Sequence, residues 1–228
     1  MEFILKTSII TALNLNLGYN KDPLVINNAS FQIKAGDFTF ITGVSGSGKS
    51  TLLKSMYGNL PVKSGHLNVC GFNIHPYSKS IVNQLRRKIG IVFQDYKLIK
   101  DWNIEKNIMF PMIISGYPKQ VCKIKTERLL AHVKLHHKAK KYPLELSGGE
   151  QQRVAMARAL AHNPSVIFAD EPTGNLDDYS SDLMWGLLKG VNEQLKITIV
   201  VVTHRLPDRI NMSYRHLYLE NGVVYDMA

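Results

Sequence analysis

The 228 residues are 45% hydrophobic and 20% charged, with 16 Gly and 9 Pro, a composition that supports one sizeable domain or two small ones and excludes disordered, collagen-like and low-complexity chains. No run of 18 apolar residues occurs, so no helix is expected to span a bilayer, and the apolar start Phe3 to Leu13 is broken by Lys6 and lacks the basic leader and cleavage site of a signal peptide. Twenty-eight Lys and Arg against 18 Asp and Glu leave a net charge of +10, which favours an anionic partner (nucleotide, nucleic acid or acidic lipid) without choosing among them, and is equally compatible with a plain solubility charge.

The N-terminal third reads as strands. Phe31-Gln32-Ile33 alternates, Ala35-Gly36-Asp37 turns, and Phe38 to Thr42 is a β-branched and aromatic run ending at Gly43. From Ser50 to Tyr57 the pattern is helical, with Leu52, Leu53 and Met56 on one face. After a loop from Asn59 to Gly65, Leu67 to Cys70 and Ile89 to Phe93 read as strands. Residues from about 103 to 135 are helical, and Pro111, Gly116 and Pro118 are expected to break them into several short helices. A helix from Gly149 to Ala161, a buried strand from Val166 to Ala169, a helix from Ser180 to Leu195 and a strand from Ile197 to Val202 follow. His216 to Leu219 and Val223 to Tyr225 form a hairpin about Asn221-Gly222, a pair suited to a type I′ turn. Strands alternating with helices predict an α/β fold, with the helical stretch from about 95 to 150 inserted in it. Two cysteines, Cys70 and Cys122, cannot build a disulfide framework and fit a reducing compartment.

Chemistry enters at Gly43-Val44-Ser45-Gly46-Ser47-Gly48-Lys49-Ser50, a full G-x-x-x-x-G-K-[ST] phosphate loop followed by Thr51. It lies between a strand and a helix, where backbone N–H groups and a helix N-terminus can surround phosphate. Lys49 supplies a point charge for the β- and γ-phosphates, and the Ser50 hydroxyl can ligate Mg²⁺. Val166 to Ala169 ends in Asp170 and Glu171: the first can hold Mg²⁺ or its water shell, the second can polarise an attacking water. A helix-capping role is the plain alternative for Glu171. Leu146-Ser147-Gly148-Gly149-Glu150-Gln151-Gln152-Arg153 offers a hydroxyl and bare N–H groups at a helix start, a second anion site. One phosphate loop and one separate anion site per chain suggest that two chains share nucleotides.

On that segment the sequence resembles the ATP-binding cassette family, whose signature is L-S-G-G-Q. The resemblance implies further roles in order along the chain. Tyr19 matches the aromatic residue that stacks on adenine, and Gln94 the glutamine that touches Mg²⁺ and the water. Gly174-Asn175-Leu176-Asp177 matches the loop coupling the two sites, and His204 the histidine that contacts the γ-phosphate. Ser147, Gly148, Gly149 and Glu150 would then meet the partner chain's ATP. Glu150 departs from the commonest signature. The implied fold is a P-loop NTPase core with an antiparallel β subdomain (1–94 and 154–228) and an inserted α-helical subdomain (95–153). Phe93-Gln94-Asp95, the Glu150-Gln151-Gln152 form and Asp177-Asp178 resemble the bacterial cell-division branch of the family and, less closely, the lipoprotein-release and macrolide-export branches. That implies an ATP- and Mg²⁺-dependent homodimer, peripheral on the cytoplasmic face of the inner membrane beneath an integral membrane subunit.

Two other functions compete. Chromosome-structure ATPase heads share these motifs, and the +10 charge suits nucleic acid, but they need a long coiled coil where this chain has 52 residues containing Pro111, Pro118 and Pro143. No nucleic acid is expected. A regulatory module that holds ATP without turnover is opposed by the presence of both Glu171 and His204. His132, His136 and His137 lie among lysines and read as a solvated basic face. Trp102, Ile104, Ile108, Met109, Phe110 and Met112 read either as an interface or as the small core of the insertion.

Overall fold

The computed structural model describes residues 7–19, 22–207 and 211–227; Phe3 to Lys6 of the apolar start lie outside them. Ser8–Leu17 (β1) and Ile26–Lys34 (β2) pair antiparallel, burying Ile10, Ala12, Leu15 and Leu17 against Ile26, Ala29, Phe31 and Ile33. Asn14 and Asn28, both at φ 49°, mark two of the three register shifts between these strands, and such shifts hide the alternation from a period-2 reading. With Ser64–Val69 (β4) and Phe72–Asn73 (β5) they form an antiparallel sheet ordered β2-β1-β4-β5. This is the expected β subdomain, begun earlier and made longer than Phe31 to Ile33 alone indicated.

A second sheet holds Phe38–Thr42 (β3), Ile89–Val92 (β6), Val166–Asp170 (β7), Thr198–Val202 (β8), Arg215–Glu220 (β9) and Val223–Asp226 (β10), ordered β10-β9-β3-β8-β7-β6. Neighbours from β9 to β6 run parallel, and β10 returns antiparallel through the Asn221-Gly222 turn, whose φ values of 48° and 77° suit type I′. β3 and β8 are buried at every position, as a parallel sheet covered on both faces requires. On one face sits Lys49–Met56 (α1), sharing a core with the antiparallel sheet through Leu52, Leu53 and Met56. On the other lie Gly148–Leu160 (α5) and Asp178–Leu195 (α6), packed through Met156, Leu160, Met184 and Leu188.

Ile104–Ile114 (α3) and Lys119–His132 (α4) stack on α5 around Ile104, Ile108, Met112, Cys122 and Leu130. Ile104, Ile108 and Met112 are therefore core, whereas Trp102, Met109 and Phe110 are half-buried. Trp102 meets Phe110 edge-on at 4.9 Å, and the Lys106 ammonium lies 4.2 Å from its ring centroid. Pro111 does not break the helix: α3 continues one turn past it, held by its buried face, and ends before Gly116 and Pro118. Lys79–Arg86 (α2) is an element the sequence reading lacked, a two-turn helix capped by Ser78 that buries only Val82 and Leu85. The division between residues 153 and 154 falls within α5. That helix turns Val154, Ala157 and Ala161 to the helical layer and Met156, Ala159 and Leu160 to the sheet.

Candidate functional site

The phosphate loop Gly43–Ser50 leaves the C-terminal end of β3 and enters α1, which starts without a side-chain cap at Gly48 (φ 104°). Only glycine fits position 43. Its φ is 149°, and an added Cβ would lie 2.1 Å from the Leu219 carbonyl oxygen in β9. Lys49 is buried, its ammonium donating to the Gly43 and Val44 carbonyls at 2.8 and 2.9 Å. Burial lowers its pKa, opposed by the nearby charges of Glu171 and Asp170. The Ser47 hydroxyl is buried with no hydrogen-bond partner, while Val44, Ser45, Gly46 and Ser50 are exposed. An uncapped helix start, an orphan hydroxyl and a lysine satisfied only by loop carbonyls together fit a phosphate group. Tyr19 stands beside the same helix, its hydroxyl 3.3 Å from that of Thr51.

Asp170 ends β7 and Glu171 follows at φ 45°, a left-handed conformation rare for a residue with a Cβ. Burial raises both carboxyl pKa values. At Asp170, Lys54 and Lys49 pull back; at Glu171, His204 and the Thr203 hydroxyl do so. His204 Nε2 lies 3.3 Å from Glu171 Oε1, and Thr203 Oγ1 donates to Oε2 at 3.3 Å. Glu171 caps no helix; Asp177 does that for α6, accepting from the Ser180 N–H and hydroxyl at 2.8 Å each. Gln94, exposed just beyond β6, joins this cluster at Gly174, where a Cβ would lie 3.3 Å from Gln94 Nε2 and 3.5 Å from the Glu171 Cβ. Asn175 Nδ2 donates to the Gln94 carbonyl at 3.4 Å.

The signature segment lies on another wall. Ser147 caps α5, accepting from the Glu150 N–H at 3.3 Å, and Glu150 returns a bond to the Ser147 N–H at 3.0 Å. The other Glu150 oxygen meets Lys138 Nζ at 2.5 Å. Burial opposes ionisation of Glu150, but these two partners outweigh it and its pKa lies below the usual carboxylate value. Its carboxylate is thus engaged within its own chain. The two glycines are close-packed: a Cβ on Gly148 would stand 2.8 Å from the Tyr96 hydroxyl, and one on Gly149 2.5 Å from Ser180 Oγ. Signature, glutamine loop and the start of α6 therefore touch within one chain.

The sequence reading missed what ties them together. Arg158, on α5, donates to the Tyr96 and Lys97 carbonyls at 2.7 Å each, just after Gln94, where both residues hold positive φ (61° and 47°). Burial lowers the guanidinium pKa to about 10. The available signal was one arginine in the otherwise apolar run Val154 to Ala161.

Residues 26–174 match the ABC transporter family. The chain is 40% identical to the cell division ATP-binding protein FtsE of Streptococcus pneumoniae, over 95% of this chain and 94% of that one. It is 40% identical to the lipoprotein-releasing system ATP-binding protein LolD of Buchnera aphidicola, over 87% and 88%. Among solved structures, a dimeric ATP-binding cassette in a post-hydrolysis state, bound to ADP and Pi, superposes with a TM-score of 0.84 at 34% identity, covering 94% of this chain and 96% of that one. With the phosphate loop, acidic strand end and signature each in place, the chain belongs to the ATP-binding cassette family and is one of its ATPases.

Proposed function

We propose that this chain is the ATP-hydrolysing subunit of a membrane complex of the FtsEX cell-division type, in which two copies close around two Mg-ATP and drive an integral membrane subunit resembling FtsX. The observation that carries the reading is the separation, within one chain, of a phosphate loop on the β3–α1 wall from a signature packed on Tyr96, Lys138 and Ser180. Gly43 to Thr51 would hold the phosphates, Tyr19 the adenine, and the partner copy's Ser147, Gly148 and Gly149 the far side of the nucleotide. Ser50, Gln94 and Asp170 would hold Mg²⁺, which when bound neutralises phosphate charge. Glu171 accepts the proton of the attacking water, its burial-raised pKa suiting it to that exchange. His204, 3.3 Å from Glu171, would contact the γ-phosphate. The half-buried Trp102 and Phe110, beside the loop that follows Gln94, suit docking of the membrane subunit, whose engagement would place the chain on the cytoplasmic face of the inner membrane. Identity to LolD supports a lipoprotein-release exporter as the second reading.

Mixing two inactive variants tests the shared site. Lys49→Ala loses the phosphate contact, and Ser147→Arg blocks the signature while leaving ATP binding to the isolated chain intact. A mixed dimer contains one site built from both unaltered halves, so hydrolysis returns on mixing. A mixture as inactive as its components would show that each chain works alone.

A further inference from the structure

The positive charge of this protein is concentrated. From residue 95 to 153 there are 12 Lys and Arg against six acids, so 12 − 6 = +6 of the chain's +10 falls in the segment that carries α3 and α4. No acidic residue occurs between Glu105 and Glu127. In that gap α3 ends and α4 begins, joined by the short connection 115–118, and the hairpin exposes aliphatic side chains. Ile113 and Ile114 are 52% and 51% exposed, Val121 and Ile124 39% and 44%. They are not an unfilled core, because the inner faces of both helices are already buried through Ile108, Met112, Cys122 and Leu130. Lys119 and Lys123 stand exposed among them on α4.

Four aliphatic side chains in water are unfavourable, and the two exposed lysines among them, neither of which forms an ion pair among the described residues, seek anions. An anionic bilayer surface satisfies both within a few ångströms, because aliphatics enter the acyl boundary while lysines reach back to headgroups. We propose that the α3–α4 hairpin is a lipid-contact surface, seating Ile113, Ile114, Val121 and Ile124 at the acyl boundary of an anionic membrane and pairing Lys119 and Lys123 with its headgroups. The inference shares its setting with the membrane-complex reading, but the surface acts without nucleotide or partner subunit and is tested without either.

The full chain, free of nucleotide, is sedimented with phosphatidylcholine vesicles and with vesicles that also contain phosphatidylglycerol. Binding is expected only to the second. Each cation at such a surface is worth roughly fivefold in partition, so Lys119→Glu with Lys123→Glu is expected to cost at least about 25-fold. Lys34→Glu with Lys196→Glu, the same charge change on exposed lysines elsewhere, is expected to cost far less. Ile113→Ser with Ile124→Ser is expected to remove the fraction that resists salt, with only a small fall in thermal melting, because both side chains are about half exposed. Equal losses for the two lysine pairs, equal binding to both kinds of vesicle, or serine variants that bind like wild type would overturn the proposal. So would a serine variant that binds lipid normally but no longer captures the membrane subunit, since the surface would then belong to a protein contact.

Discussion

Glu171 sits in a conformation that few residues with side chains adopt, with its carboxyl partly withdrawn from water and held by Thr203 and His204. Its raised pKa has opposite consequences for turnover and for folding. As a base it must be ionised, so turnover falls on acidification, and at a higher pH than an ordinary carboxylate would set. In the fold, burial of the ionised form is a cost that is fully present above the raised pKa and is relieved as pH falls through it. Glu171→Gln is therefore expected to cut hydrolysis by roughly 10²–10⁴. The nucleotide-free variant should melt no lower than wild type at neutral pH, with any advantage shrinking in acid. Paired turnover and calorimetry over pH check both; an amide variant that still hydrolyses ATP normally would move the base elsewhere. The acid itself was readable from sequence, since an apolar run ending in Asp-Glu needs only local pattern. Thr203 and Lys138 were not, because their partners are set by strand order and helix packing.

At the scale of elements, α5 joins the sheet to the helical layer. It begins at the signature, shares its sides between two cores, and grips the glutamine loop through Arg158. Arg158→Ala would strip two carbonyls of a charged donor and is expected to cost about 1–3 kcal/mol of stability. ATP binding to the single chain should persist, because the phosphate loop lies on the other wall, while turnover should fall as Tyr96 and Gln94 lose their anchor. Arg158→Lys should recover part of the stability, having charge but no fork. Thermal melts with nucleotide titration decide this, and an alanine variant that melts like wild type would remove the strut. Long, strongly patterned elements such as β3, β8 and α6 were legible in the sequence. β1 was not singled out because its bulge at Asn14 breaks the alternation, and α2 was missed because eight residues with only two buried apolar side chains are too short and too polar to stand out. Pro111 misled because a proline's local cost was weighed without the buried stripe that carries α3 through it.

For the whole molecule, the separation of phosphate loop and signature makes quaternary state a readout of nucleotide. In gel filtration with Mg²⁺ and ATP, Glu171→Gln should elute as a dimer and Lys49→Ala as a monomer. If both elute alike with ATP, assembly does not depend on the phosphate contact.

The approach of Gly43 to the Leu219 carbonyl has a consequence in time. The strand against which the phosphate loop is moulded is synthesised 219 − 43 = 176 residues after it. At about 5–20 residues per second, a growing chain carries its glycine-rich loop for roughly 10–35 s before β9 emerges to back it. The Asn27 N–H, which donates to the Gly222 carbonyl at 2.8 Å, waits as long. A nascent chain on the ribosome therefore cannot acquire its finished nucleotide cradle until β9 and β10 have emerged, so that hairpin acts as the clasp that makes the protein competent.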